Sequence, residues 1–452
     1  MGRVSMKKII IIAIVLAISL ISPALVGNMA HSAYQRGIEN APVTANSMNL
    51  TQKDYAQSWF TSTALTELRL NTGDAELDAI KLVLNSQIQH GPLLLTDDGI
   101  KFGMAYIHTN INVTGLPAKA QRFFNKHLPA DAISDTTLID FQQLAHDRLS
   151  IAAFQLDDEK MHISVGSIEA HATSALDYST LRGDYTLLAS ALSNDDINIS
   201  LTDTSGKFDY HLSSEDMLIG KSSLSLPLIL AVTKQGKISL EQLSFSTDGE
   251  EQNGKLNMSE HISIEKITAP IPLTAFTYDI QLNQLNPAAL KAWAEITREA
   301  QAASAQDKAL DAEKLGELFT LLFQEGLELN QQIKLDGMGG TLSIDCDARY
   351  VEPANGVQLK DLIGDKTILQ AADIHLLAEL DRSVVDHPPF DSVVASLLEQ
   401  GTIAEKGDKL SVEIKLKQSA LTVNEKPLPI EILYPWLGLN QEVRDNYSQN
   451  LP

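Results

Sequence analysis

Eleven histidines, 58 acids and one cysteine are the groups through which this 452-residue chain could do chemistry. The histidines are scattered. His162 and His171 fall on opposite strand parities. His375 and His387, with Asp373, Asp381 and Asp386 nearby, make the least poor metal candidate, and no pair stands at metal-ligand spacing. The acid doublets Asp97–Asp98, Asp157–Asp158 and Asp195–Asp196 sit in turn-like contexts, where carboxylates form turns and caps. A glycosidase-type pair would have to be assembled by the fold. A single cysteine, Cys346, excludes an intrachain disulfide and a cysteine-rich metal site. Cys346 shares a parity with Leu342, Ile344 and Ala348, so it reads as an inward strand residue. Its acidic neighbours would raise a thiol pKa rather than activate it. The sequence contains no GxGxxG before a helix, no GxxxxGK, no HExxH and no GxSxG. The GMGG run at 337–340 reads as a hairpin turn. No catalytic, metal or cofactor residue is assigned on this basis.

The stretch SQIQHGPLLL, residues 86–95, is the sharpest question. Leu84, Ser86, Ile88 and His90 share one face of a strand. Gly91-Pro92 ends that strand, because proline donates no sheet hydrogen bond and restrains the residue before it. His90 is then placed to hold the turn through a backbone carbonyl; contact with a ligand and catalysis are the alternatives.

These residues need elements to position them, and alternation supplies the dominant signal. It runs through FTSTALTELRL (60–70), IKFGMAYIHTNINV (100–113), KMHISVGSIEAHA (160–172) and KISLEQLSFSTDG (237–249). It returns in KLSVEIKLKQSALTVN (409–424), with turns such as TDDG and EKGD between runs. One apolar and one wet face is the signature of antiparallel sheet. The expected fold is mainly β with α additions: an extended, curved antiparallel meander with a few covering helices. Helices are expected around 117–149, over 287–326 between Pro287 and Gly326, and over 388–401.

The chain opens with Arg3, Lys7 and Lys8 ahead of an apolar run from Ile9 to Gly27. Nineteen helical residues cover about 28 Å, the thickness of the hydrocarbon core. An uncleaved transmembrane signal-anchor explains that length, with the basic flank in the cytoplasm. The competing reading is a cleaved signal peptide, with weak sites at Ser22-Pro23-Ala24 and Ala30-His31-Ser32. The expected organisation is a cytoplasmic tip and anchor over 1–30, a linker or first strand over 31–54, a β-rich region over 55–285, a helical segment over 286–326 and a second β-rich region over 327–452. A net charge of −23 argues against nucleic acid and against attraction to anionic headgroups.

Four elements carry a resemblance. After the apolar run comes YQRG, Tyr34 to Gly37. Then comes YAQSWFTSTA, with Tyr55, Trp59 and Phe60, and with Ser58 at a position usually held by glycine. His90, Gly91 and Pro92 form a His-Gly-Pro element. Near the end, LTVNEKPLP places Asn424 and Pro427, with Glu425 in place of a glycine. In order and spacing the chain resembles the YdgA family of Gram-negative bacteria, also called the domain-of-unknown-function 945 family. The resemblance implies an inner-membrane anchor and an exported, periplasmic body, and it brings no catalytic residue. Trp59 and Phe60 are expected to pack in the adjacent strand or to line a cavity. The expected function is a membrane-tethered, non-enzymatic scaffold or binding protein that holds a lipid or a hydrophobic segment. The alternatives are an envelope protein-interaction module and an exported envelope hydrolase.

Overall fold

The computed structural model describes residues 48–430 apart from 71–77, 97–98, 119–120, 123–125, 127, 129–130, 159–160, 271–272, 294–295, 297–311, 324–325, 352–368, 370 and 387. The anchor, YQRG and His387 lie outside the described residues. Among the described residues no helix is long and apolar enough to cross a membrane.

The chain is mainly β, as its alternation requires, and forms two compact units. The first takes residues up to Asp195 and Ser200–Leu212; the second takes Asp196–Ile199 and the chain from Ser213 onward. The first unit holds β1 (Met48–Gln57), β2 (Thr61–Leu70), β3 (Lys81–His90), β4 (Leu93–Thr96), β5 (Gly99–Phe102), β6 (Ala105–Thr114), β7 (Ile133–Ile139) and β8 (Leu144–Ile151). It continues with β9 (Phe154–Asp158), β10 (Met161–Val165), β11 (Ile168–Ala175), β12 (Thr180–Leu187) and β13 (Ser190–Asn194). Beyond β14 (Ile197–Leu201), β15 (Thr204–Leu212) returns to pair with β12. The main order is β1-β2-β3-β6-β7-β8-β11-β12-β15, every pair antiparallel.

Register decides what faces inward here. Successive rows across the strands read Tyr55, Ala64, Ser86, Thr109 and Asp135, then Gln57, Ser62, Ile88, Ile107, Thr137 and Asp147. A third row reads His90, Ala105, Ile139, Ala145 and Ser174. Ala64, Ile88, Met104, Ala105, Ile107 and Ile139 form the core on this face, with Tyr55 and Leu176 packed against it. A bulge between Gln52 and Asp54 flips the parity of β1, which is how Tyr55 joins that face. The segment 133–151, expected to be helical, is instead the β7–β8 hairpin. The alternation of Ile133, Asp135, Thr137 and Ile139, continued by the cross-strand pairing with β6, overrides the helix-compatible spacing.

The second unit carries the long strands β16 (Leu218–Thr233), β17 (Gly236–Gln252), β18 (Lys255–Thr268) and β19 (Leu273–Leu285). β20 (Glu328–Gly337), β21 (Gly340–Tyr350) and β22 (Ala372–Asp381) continue the meander. β23 (Ala404–Lys406), β24 (Lys409–Lys417), β25 (Ala420–Val423) and β26 (Lys426–Leu428) close it. β19 pairs directly with β20, so the segment 286–326 connects two adjacent strands. A helical stretch begins at Pro287, and α1 (Ala312–Leu322) follows. Leu290, Leu321 and Leu322 pack against Ile219, Leu256, Leu285 and Ala289, so the helices cover the strands there. α2 (Pro388–Gln400) forms where a helix is expected over 388–401. Met338 and Gly339, both at positive φ, make the β20–β21 turn that the GMGG run predicts.

Candidate functional site

Two sequence elements far apart in the chain interlock at one end of the first sheet. β3 ends at His90, whose amide donates to Phe60 O at 2.8 Å. Gly91 donates to Met104 O at 2.7 Å, and Gly103 donates back to Pro92 O at 3.2 Å. The Gly91–Pro92 peptide is cis. A Cβ on Gly91 would sit 1.8 Å from Gly103 O, so only glycine lets the two strands approach this closely.

The His90 ring is 3% exposed. Nδ1 faces the Trp59 carbonyl at 3.4 Å, and Nε2 lies 2.9 Å from Ser62 Oγ. A carbonyl only accepts, so Nδ1 carries the proton, Nε2 is the acceptor and Ser62 donates to it. Burial lowers the His90 pKa, partly offset by the Trp59 bond, and so favours this neutral tautomer. A hydroxyl donating to an imidazole is also the geometry of a nucleophile and its base. Here Ser62 is as buried as His90, and a backbone carbonyl occupies the place of an orienting acid. The pair is placed to fasten the β1–β2 turn onto the end of β3.

What that clamp presents is apolar. Trp59 and Phe60 lie in the turn between β1 and β2, closed by Ser58 N donating to Thr61 O, and are 54% and 51% exposed. The expectation that they pack in the adjacent strand is corrected. Gln57 pairs with Ser62, and residues 58–60 between them are turn rather than strand. Ser58 replaces glycine without needing a positive φ. Beyond Pro92 the chain makes the small hairpin β4–β5. The run IKFGMAYIHTNINV is therefore not one strand but two, broken at Gly103. Leu94 is fully buried and pins the hairpin, and Leu95 N donates to Gln89 Oε1. Leu93 stands opposite Phe102 and Leu95 opposite Ile100, so all four share one face. They are exposed, Phe102 to 71% and Leu95 to 66%. The hairpin thus turns an apolar face outward at the end of the sheet that also carries Trp59 and Phe60. Large apolar side chains left exposed together at one end of a sheet mark an interaction surface.

A second feature lies deeper in the same unit. Thr137 Oγ1 is 2.5 Å from Asp147 Oδ1 and 3.2 Å from Asp135 Oδ2. Ser86 and Thr109 share a hydroxyl bond of 2.8 Å in the adjoining rows. Burial, reinforced by the Asp147 charge, pushes the Asp135 pKa up to about 7 against the opposing Thr137 bond. Burial also raises Asp147 and, with Asp147's charge, the Tyr178 phenol. Thr137 has one proton to give. It is shared between the two carboxylates, of which Asp147 is the nearer acceptor. Sequence reasoning missed this pair because 133–151 was read as helix; the signal was an Asp on the apolar parity of DTTLI.

In the second unit a cavity of about 440 Å³ is lined by Asn330, Asp347, Arg349, His375, Lys415 and Lys417, among others. Glu413 bonds Lys415 at 2.8 Å and His375 Nε2 at 3.0 Å, and these two, Lys415 foremost, lower its pKa. Among the described residues no group of three His, Cys, Asp or Glu is placed to hold a metal. Cys346 is partly buried, and burial, then Asp347, raises its thiol pKa.

Asn424 and Pro427 lie in the last hairpin among the described residues. β23 and β25 flank β24 on one side, end to end, and Asn424 fills the gap between them. Its side chain accepts from Glu413 N and donates to the Gly401 and Thr402 carbonyls. Asn424 and Glu425 both hold positive φ, at 47° and 66°, as a type I′ turn demands. Glu425 therefore stands where glycine is preferred. Glu425→Gly is expected to stabilise the protein by roughly 0.5–1 kcal/mol, read as a higher urea midpoint; a lower midpoint would show that the turn does not strain Glu425.

No curated protein and no solved structure matches the chain. Residues 6–431 match the family model described as a bacterial protein of unknown function (DUF945), a span that includes every residue of the site, and the chain belongs to that family.

Proposed function

We propose that this protein is a non-catalytic binding scaffold of the bacterial envelope, held at the inner membrane by its N-terminal segment with its body in the periplasm. It engages a hydrophobic partner, a lipid or an exported apolar segment, through Trp59, Phe60, Leu93, Leu95, Ile100 and Phe102. One observation carries the reading: the Trp-Phe and His-Gly-Pro elements interlock through His90 and there hold large apolar side chains out of the core. The apolar run at 9–27 and the family resemblance support the location. Each half-exposed apolar side chain contributes on the order of 1 kcal/mol when its remaining surface leaves water, so six suffice for specific, reversible contact.

The test is photo-crosslinking in intact cells, with a photoreactive residue at Phe102 or at Arg182, which is exposed on the polar face of β12. A reproducible adduct, lipid or protein, is expected at 102 and not at 182. Equal labelling at both positions, or none at 102, overturns the reading.

A further inference from the structure

The six exposed apolar residues sit on two turns at the same end of the sheet, because the Trp59 and Phe60 carbonyls both bond His90, three residues before the hairpin begins. Two features bear on what covers them. The first is shape. Leu93 beside Phe102 and Leu95 beside Ile100 form the face of a two-stranded ribbon, which has no flanking strand to wall a groove. An open apolar face with a tryptophan and phenylalanines at the same end of the sheet suits the boundary between headgroups and acyl chains. The second is reach. Twenty residues, 28–47, separate the apolar run ending at Gly27 from the start of β1 at Met48. Extended, they span at most about 70 Å, whereas the ten residues of β1 cover about 33 Å. A tether of that length can run back along β1 and bring the β1–β2 turn to the bilayer. It also keeps the local lipid concentration high, so the contact needs little intrinsic affinity.

We infer that this surface is a second membrane contact: the β1–β2 turn and the β4–β5 hairpin insert their apolar side chains into the interface of the bilayer to which the chain is tethered. The inference rests on the binding reading above and names its occupant. Charge narrows the lipid. The chain carries a net −23 and the hairpin's own connection is Asp97-Asp98, so the insertion is driven by apolar area and takes zwitterionic headgroups. Two insertions, the anchor and the patch, would fix the tilt of the first unit against the membrane, as a single insertion does not.

The experiment uses the full chain with Trp293→Phe and Trp436→Phe, which leaves Trp59 as the only tryptophan. It is reconstituted into phosphatidylcholine vesicles with or without brominated acyl chains. Brominated lipid is expected to quench Trp59 emission about twofold or more, and aqueous iodide to quench it little. Adding a quarter phosphatidylglycerol is expected not to strengthen the effect. Leu95→Glu with Phe102→Glu, both at exposed positions beside an intact Leu94, is expected to restore the emission. Emission unchanged by brominated lipid overturns the proposal, as does quenching that persists in the double variant. If Trp59 is unquenched while Phe102 crosslinks to a protein, the binding reading stands and the membrane contact fails. If Phe102 forms no adduct and Trp59 is unquenched, both fail.

Discussion

Gly91→Ala is expected to destabilise the first unit by at least about 3 kcal/mol, or to prevent its folding, the range in which a substitution breaks a specific packing constraint. The added Cβ would lie 1.8 Å from Gly103 O, 2.9 Å from Gly103 C and 3.0 Å from Met104 O. All three are backbone atoms of the partner segment, so no side-chain rotamer can relieve the overlap. Separating the strands would break the Gly91–Met104 hydrogen bond and pull His90 away from the Trp59 and Phe60 carbonyls. The loss is therefore cooperative: the core row His90, Ala105 and Ile139 opens together with the turn that presents Trp59. Gly249→Ala is the matched control. Its Cβ would meet nothing nearer than 3.5 Å, and alanine in a strand is favoured over glycine by roughly 0.5–1 kcal/mol. Urea unfolding of the two variants separates the outcomes. Equal midpoints would show that the Gly91–Gly103 approach is not a constraint.

Asp135→Asn is expected to remove a pH dependence. The folded-state pKa of Asp135 is about 7, well above the ordinary carboxylate range. Between those values the folded protein binds a proton that the unfolded chain does not, so stability falls as pH rises through that window. The groups facing Asp135 are the Thr137 hydroxyl and the Asp147 carboxylate, which Tyr178 and His146 adjoin. Asparagine can donate to Thr137 at every pH. After a discount for residual solvent at this partly exposed side chain, the variant should gain on the order of 2 kcal/mol over the parent between pH 5 and pH 8. Urea midpoints at the two pH values measure it, and parallel pH dependences in parent and variant would sink the assignment. His90 runs the other way. Its lowered pKa contributes stability that is present above the ordinary histidine value and lost as pH falls through the folded one. The first unit therefore holds two buried groups with opposed responses, one eased by acid and one by base.

The strands were legible because one face of each is wet. Val412 and Ile414 against Ser411 and Glu413 give alternation that survives any neighbour, and β24 lies where it predicts. Gly91-Pro92 ended β3 for the stated reason. Other features depend on pairing and were hidden. Phe141 and Leu144 fit a helical stripe as well as a hairpin, and only the β6–β7 register separates the two. In LLLT both parities are apolar, so no pattern says that Leu94 goes in while Leu93 and Leu95 stay out. Asp135 and Asp147 are twelve residues apart in sequence, and they meet through Thr137 only because β7 folds back on β8. The Trp-Phe and His-Gly-Pro elements were visible separately, but their joint stems from the β2–β3 register.

The outermost described strand of the second unit has a consequence for crowding at a membrane surface. β26 pairs with β25 through Thr422 and Pro427, and Lys426 precedes the proline. A sheet edge normally offers a row of free amides that a second molecule can extend. Pro427 has no amide to offer, and Lys426 adds a charge that repels its own copy. In the first unit the bulge at Lys53 interrupts β1 in the same manner. Molecules gathered at high density on one bilayer would meet with these edges blunted and would not zip into shared sheets.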